Sequence, residues 1–346
     1  MTLVARPTDS APTTRTGSTL LDAVLRFRAL GLLIALVAMV AATAAVNSRF
    51  VSQQSIRDIL LGAAITILLA VGMTVVVLTR GIDLSVGSVL GLSAYVTADF
   101  LQVNPGTPVP VAMLLGLAIG AGCGLVNGAV IHFGKVPALV ATLGTLYVFR
   151  GIVYFVAGGS RINASDMPRG FLDFGTDRVL GIPYLIIVSL VVVVLAGVFL
   201  SRYRAGRDMY ALGSSPEAAK LAGIPAGRRL LTAYVLCGAL AGLGGVLHAA
   251  RFGTVDASAG SGMELNVVAA VVVGGVAIFG GSGTVFGAAL GALLLTVISN
   301  ALPVLSVDQF WQQAIVGALI LGAIGLDRFV GLRVSASLRR KDSHVD

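Results

Sequence analysis

Long apolar runs recur from one end of the chain to the other, separated by short polar or glycine-rich stretches. A membrane-spanning helix needs about 20 mostly apolar residues. Ten segments approach that length: 29–46, 58–79, 85–103, 110–131, 137–157, 182–200, 230–250, 263–280, 283–300 and 309–327. The pattern predicts an all-α, polytopic transmembrane bundle of about ten helices. Glycine-rich junctions at 80–88 and 280–283 allow either a break or a re-entrant turn. Two connections exceed a tight turn, 158–181 and 201–229, and the second is the most charged internal stretch.

The ends differ from the middle. Residues 1–28 are polar and rich in Thr, Ser, Pro and Arg, and read as a disordered tail. A second polar tail, 331–346, follows the transmembrane domain of 29–330. The first apolar run ends near Ala42-Thr43-Ala44, which imitates a signal-peptidase site. Its apolar stretch exceeds the usual signal core of about 7–15 residues, so an uncleaved first helix is expected.

Composition supports one membrane domain and removes other classes. The 346 residues are 56% hydrophobic and 12% charged, too few charges to cover a soluble surface. The net charge of +8 is spread over the ends of apolar runs, so no nucleic-acid partner is expected. With the N-terminus inside, all but seven of the 24 Lys and Arg fall on the inner side. The seven are Arg49, Arg57, Arg150, Arg161, Arg169, Arg178 and Arg251. An even number of spans then places both termini in the cytoplasm, the 201–229 connection inside and the 158–181 connection outside. Cys123 and Cys237 lie far apart in apolar runs, and His132, His248 and His344 are scattered. Neither a metal nor a cofactor is expected.

Gly116, Gly120, Gly124 and Gly128 repeat every fourth residue, as do Gly283, Gly287 and Gly291. Each set forms one smooth helix face that suits close packing, within the chain or against a second subunit.

In the inner connection, Ser214, Ser215, Pro216, Glu217, Ala218, Ala219, Lys220, Leu221, Ala222, Gly223 and Ile224 read as a short capped helix. Ser214 and Glu217 have capping-box spacing, Pro216 suits the first turn, and Gly223 with Pro225 beyond it forms a stop. A helix of about eight residues is marginal alone, so it should dock on something, with Ala218 and Ala219 as its small surface. A helix resting on the membrane surface is the alternative.

Tyr210-Ala211-Leu212-Gly213, then Ala218-Ala219 and Ala222-Gly223-Ile224, resembles the coupling-helix region of ABC-type sugar importer permeases. Further matches are Gly81-Ile82-Asp83-Leu84-Ser85-Val86-Gly87-Ser88, and Asn127-Gly128 with Val136-Pro137, Thr142-Leu143-Gly144-Thr145 and Arg150-Gly151. A fourth set runs from Glu264-Leu265 through Gly274-Gly275 and Gly280-Gly281-Ser282-Gly283 to Asn300. Gly213-Ser214-Ser215 stands where Gly-Gly-Asn or Gly-Asn-Asn is common. The resemblance implies an inner-membrane subunit without catalytic residues that pairs with itself or a sister permease. It further implies two cytoplasmic ATP-binding subunits and an extracytoplasmic sugar-binding protein. The chain has no Gly-x-x-x-x-Gly-Lys-Ser/Thr phosphate loop, consistent with a separate motor.

Polar residues inside apolar spans are functional candidates. Asn127, Thr142, Glu264, Asn266, Asn300 and Gln312 are candidates for the substrate pathway, and each could instead link helices. Asp83 is expected to pair with Arg80 and to cap the helix starting at Ser85, and Arg150 to reach the outer interface. So few buried charges suit a neutral substrate. A secondary sugar carrier or facilitator and an intramembrane enzyme are the rival classes; the enzyme would need paired carboxylates or a metal cluster.

Overall fold

A computed structural model describes residues 16–308 and parts of 311–325, with side chains of the first helix described from Leu30 onward. The helices are α1 (Thr16–Val46), α2 (Gln53–Leu78), α3 (Val86–Val103), α4 (Val109–Gly134), α5 (Ala138–Ala157) and α6 (Arg169–Thr176). A two-stranded hairpin, β1 (Arg178–Val179) and β2 (Ile182–Pro183), leads into α7 (Tyr184–Arg202). Then come α8 (Arg204–Ser214), α9 (Pro216–Leu221), α10 (Ala226–Phe252), α11 (Met263–Val273) and α12 (Val285–Val304). Among the described residues, α2, α3, α4, α5, α7, α10 and α12 are long and apolar enough to cross a membrane. The protein is thus a polytopic helical membrane protein. The expected span 309–327 falls mostly outside the described residues, as does Gln312. α1 begins at Thr16, so it includes part of the stretch read as a tail.

Proline sets where many of these helices begin. Pro108, Pro137, Pro168, Pro183 and Pro225 stand at the N-caps of α4, α5, α6, α7 and α10. A proline there gives up an N–H that no helical carbonyl would receive. Gly158 and Gly253, both left-handed, end α5 and α10.

α2 lies at the centre, buried along most of its apolar length, with α10, α12, α7 and α11 around it. α4, α5 and α7 bury far less of theirs. Their outward residues, such as Leu114, Phe155 and Leu195, are the apolar surface that lipid covers at no cost. The glycine stripe of α4 packs inside the chain, not at a subunit seam: Gly116 meets Gly242, Gly120 meets Gly238, and Gly124 meets the Tyr234 backbone of α10. Likewise Gly287 and Gly291 of α12 close on Gly274 and Ala270. Small faces let both helix pairs approach to backbone contact.

The span expected over 263–280 is not one continuous helix. α11 stops at Gly274, and Gly275, Gly280, Gly281 and Gly283 follow with positive φ. Eleven residues extend about 16 Å, roughly half a bilayer core. The chain also breaks between Leu78 and Val86. Both glycine-rich junctions are therefore breaks.

Candidate functional site

The 201–229 connection folds as two helices. α8 turns Gly206, Asp208, Met209, Leu212 and Gly213 inward, and Asp208 binds Arg229 of α10 at 2.7 Å. Gly213 is packed so closely that a Cβ there would lie 1.9 Å from the Leu78 carbonyl oxygen. α9 follows, but its cap is Ser215, whose Oγ accepts the Ala218 N–H at 3.3 Å. Ser214 instead ends α8, so the expected capping box from Ser214 to Glu217 does not form. At the other end Gly223 has φ +72°, with Ile224 N–H bonded to Ala219 and Gly223 N–H to Lys220. That pair of bonds is a Schellman stop, as the glycine predicts. Ala219 is buried against the chain itself, whereas Glu217, Ala218, Lys220 and Leu221 face outward. The two alanines thus do not form a single docking surface. Leu221, 91% exposed, is the prominent apolar group.

The base of α9 is tied to both breaks. Arg80 donates from Nε to the Gly213 carbonyl (2.6 Å) and from Nη2 to that of Ser214 (3.0 Å). It holds φ +66°, a strained backbone for a residue with a side chain. Arg80 therefore does not pair with Asp83. On the second break, Gly281 N–H bonds to the Leu78 carbonyl at 3.1 Å and the Tyr210 hydroxyl to Gly283 at 2.9 Å.

Deeper in the first break, Asp83 is buried and accepts from Ser85 N–H (2.9 Å) and Oγ (2.6 Å), as expected of a group serving the start of α3. Asn127 Nδ2 donates to Ser85 Oγ at 2.8 Å and approaches both Asp83 oxygens at 3.3 Å. Thr142 Oγ1 donates to the Ile82 carbonyl at 3.1 Å or to that of Ala138 at 2.9 Å. Two of the pathway candidates thus fasten the break to α4 and α5.

At the opposite end of α10 from α9, a vestibule opens between α2, α10, α11 and α12. One cavity of about 280 Å³ is lined by Asp58, Thr66, His248, Arg251, Phe252, Met263, Asn266, Thr296, Ser299 and Asn300, among others. A second, of about 490 Å³, shares His248, Phe252 and Met263 and extends along 254–261. The structure therefore brings Asn266 and Asn300 together. Glu264 lies in the first turn of α11, and its Oε1 accepts the Gly262 N–H at 3.2 Å. Arg150 does not run to an interface but donates to the Ala257 and Ala259 carbonyls at 2.9 and 2.7 Å, holding the loop beside the vestibule.

Sequence reasoning missed Thr66, His248, Phe252 and Thr296. The available signal was spacing: Asp58, Gly62 and Thr66 recur every fourth residue, as do Thr296 with Asn300 and His248 with Phe252. Four-residue steps put each set on one face of an otherwise apolar helix.

Residues 55–324 match the family described as "Branched-chain amino acid transport system / permease component". The autoinducer 2 import system permease protein LsrC of Enterobacter sp. (strain 638) is 37% identical over 303 residues, covering 88% of this chain and 87% of that one. The ribose import permease protein RbsC of Escherichia coli (strain K12) is 36% identical over 297 residues, covering 85% of this chain and 92% of that one. No solved structure matches the chain. By family match and by relatives alike, the chain belongs to the ABC-type importer permease family that its motifs resemble.

Proposed function

We propose that this chain is the membrane-spanning subunit of an ATP-driven importer for a neutral, monosaccharide-type substrate. It sits in the cytoplasmic membrane with about ten spans and both termini inside, and its domain comprises residues 29–330 between two cytoplasmic tails. The partners are a pair of cytoplasmic ATP-binding subunits, an extracytoplasmic sugar-binding protein, a second permease (itself or a sister chain) and lipid. Residues 214–224 receive the ATPase. Asn266 and Asn300 in the vestibule and Glu264 beside it belong to the pathway, with Asn127 and Thr142 at the inner break and Gln312 completing the set.

The observation that carries this reading is the mounting of α9. A six-residue helix with an exposed Leu221 is fixed through α8 to both breaks. A push on α9 is delivered to 79–85 and 274–284 together, and α11 links the second break to the vestibule. Alternating access is the expected result. The sugar class follows from the ribose and autoinducer 2 relatives, and the amides of Asn266 and Asn300 at the vestibule suit hydroxyls; the family description names an amino acid.

The test is uptake into proteoliposomes holding the chain, its ATPase and its binding protein, with D-ribose and L-leucine as parallel probes. Uptake should require ATP, and Leu221→Arg should abolish stimulation while leaving the protein folded. Concentration of solute by the chain alone, driven by an ion gradient, would establish a secondary carrier instead.

A further inference from the structure

The charged groups around the vestibule each have a contact within the chain, and Glu264 Oε1 accepts the Gly262 N–H at 3.2 Å. Asp58 accepts from Gln54 Nε2 at 3.2 and 3.1 Å, and Asp256 from Ser258 N–H and Oγ at 2.8 and 2.6 Å. Arg251 donates to the Asp58 carbonyl at 3.2 Å and lies 4.6 Å from the centre of the Phe252 ring. Uncharged groups share the same lining. His248 lines both cavities, and its Nδ1 is buried with no hydrogen-bond partner. Asn266 contributes an amide, as does Asn300, whose Nδ2 also donates to the Thr296 carbonyl at 2.7 Å, and Phe252, whose ring centre lies 4.5 Å from that of His248, leaves 53% of its surface open.

A buried nitrogen without a partner is costly unless something arrives to bond it. A ligand that answers this set carries several neutral hydroxyls and one apolar C–H face to lie on a ring. The smaller cavity sits just below the usual range of ligand pockets, about 300–1,000 Å³, which suits one sugar ring and not a chain of them.

We propose that the vestibule is a monosaccharide-binding site in the permease itself, with Phe252 under the sugar face and His248, Asn266 and Asn300 on its hydroxyls. The permease then reads its substrate after delivery and is more than a passive channel. This inference rests on the import reading above and deepens it.

The test uses the full-length chain in lipid nanodiscs, without partners, and radiolabelled D-ribose, D-xylose, D-galactose and L-leucine. At least one sugar should be retained with a Kd near about 1 mM, and Asn266→Ala and Phe252→Leu should each weaken it about tenfold. Phe155→Leu, on the outward face of α5, should leave it unchanged. Retention of none of the three sugars, retention of L-leucine in their place, or unaltered binding by both vestibule variants overturns the site. The two readings fail separately. Sugar binding without ATP-driven uptake in the reconstituted complex defeats the transport reading and leaves the site. ATP-driven uptake with unaltered binding in the variants defeats the site alone.

Discussion

A Cβ built on Gly120 would lie 2.0 Å from the Gly238 carbonyl oxygen, and the obstacle is backbone that cannot swing aside. Gly120→Leu should therefore separate α4 from α10 and destabilise the protein by at least the about 1–3 kcal/mol of ordinary overpacking. Thermal unfolding in detergent reads the loss, and an unchanged midpoint would contradict the packing. Asn127 poses the opposite case, a removal. Asn127→Ala deprives the buried Asp83 carboxylate of its amide donor, and loss of a partner to a buried group costs about 1–3 kcal/mol. The same melting experiment checks it, and Asn127→Gln should recover part of the stability.

Among the elements, α8, α9 and the two breaks behave as one assembly. Arg80 bonds α8 while holding φ +66°. Arg80→Gly removes the backbone strain together with the grip. Stability should change by no more than about 1 kcal/mol, while sugar imported per ATP hydrolysed falls several-fold in proteoliposomes. An unchanged ratio would mean that Arg80 is only a structural clasp. Legibility in the sequence also divides at this scale. The apolar runs located α2, α4, α5, α7, α10 and α12 within a few residues, because length and hydropathy suffice for a continuous span. They failed at 263–280, where Val276, Ala277, Ile278 and Phe279 prolong the apolar run although the helix has ended at Gly274. Hydropathy records composition, and the break is a matter of backbone angle. The cap of α9 was placed one residue early because Ser214 and Ser215 are both good caps, and only the fold of α8 decides between them. At the site, Asn266 and Asn300 were legible as lone polar residues in apolar runs. His248 and Phe252 share a helix face by their four-residue spacing, but only the tertiary fold shows that this face lines the same space as Asn266 and Asn300.

In the molecule as a whole, two ends have distinct work. One bears the exposed α9, the other the vestibule, and α10 runs the distance between them, 27 residues or about 40 Å. α2 and α10 are packed on nearly every side and have little room to shift. α11 is buried too, and it is bordered by glycines: Gly260 and Gly262 precede it and Gly275, Gly280, Gly281 and Gly283 follow it, all at positive φ. Such residues cross between backbone regions that others cannot enter. The short rod is thus turned at both ends by glycine while Ala270 and Gly274 bind its side to Gly291 and Gly287 of α12, so a displacement of the second break carries α11 and α12 as one body. Within the proposed importer complex, spin labels on α11 and α2 should report that displacement on nucleotide addition, while labels on α11 and α12 keep a constant separation.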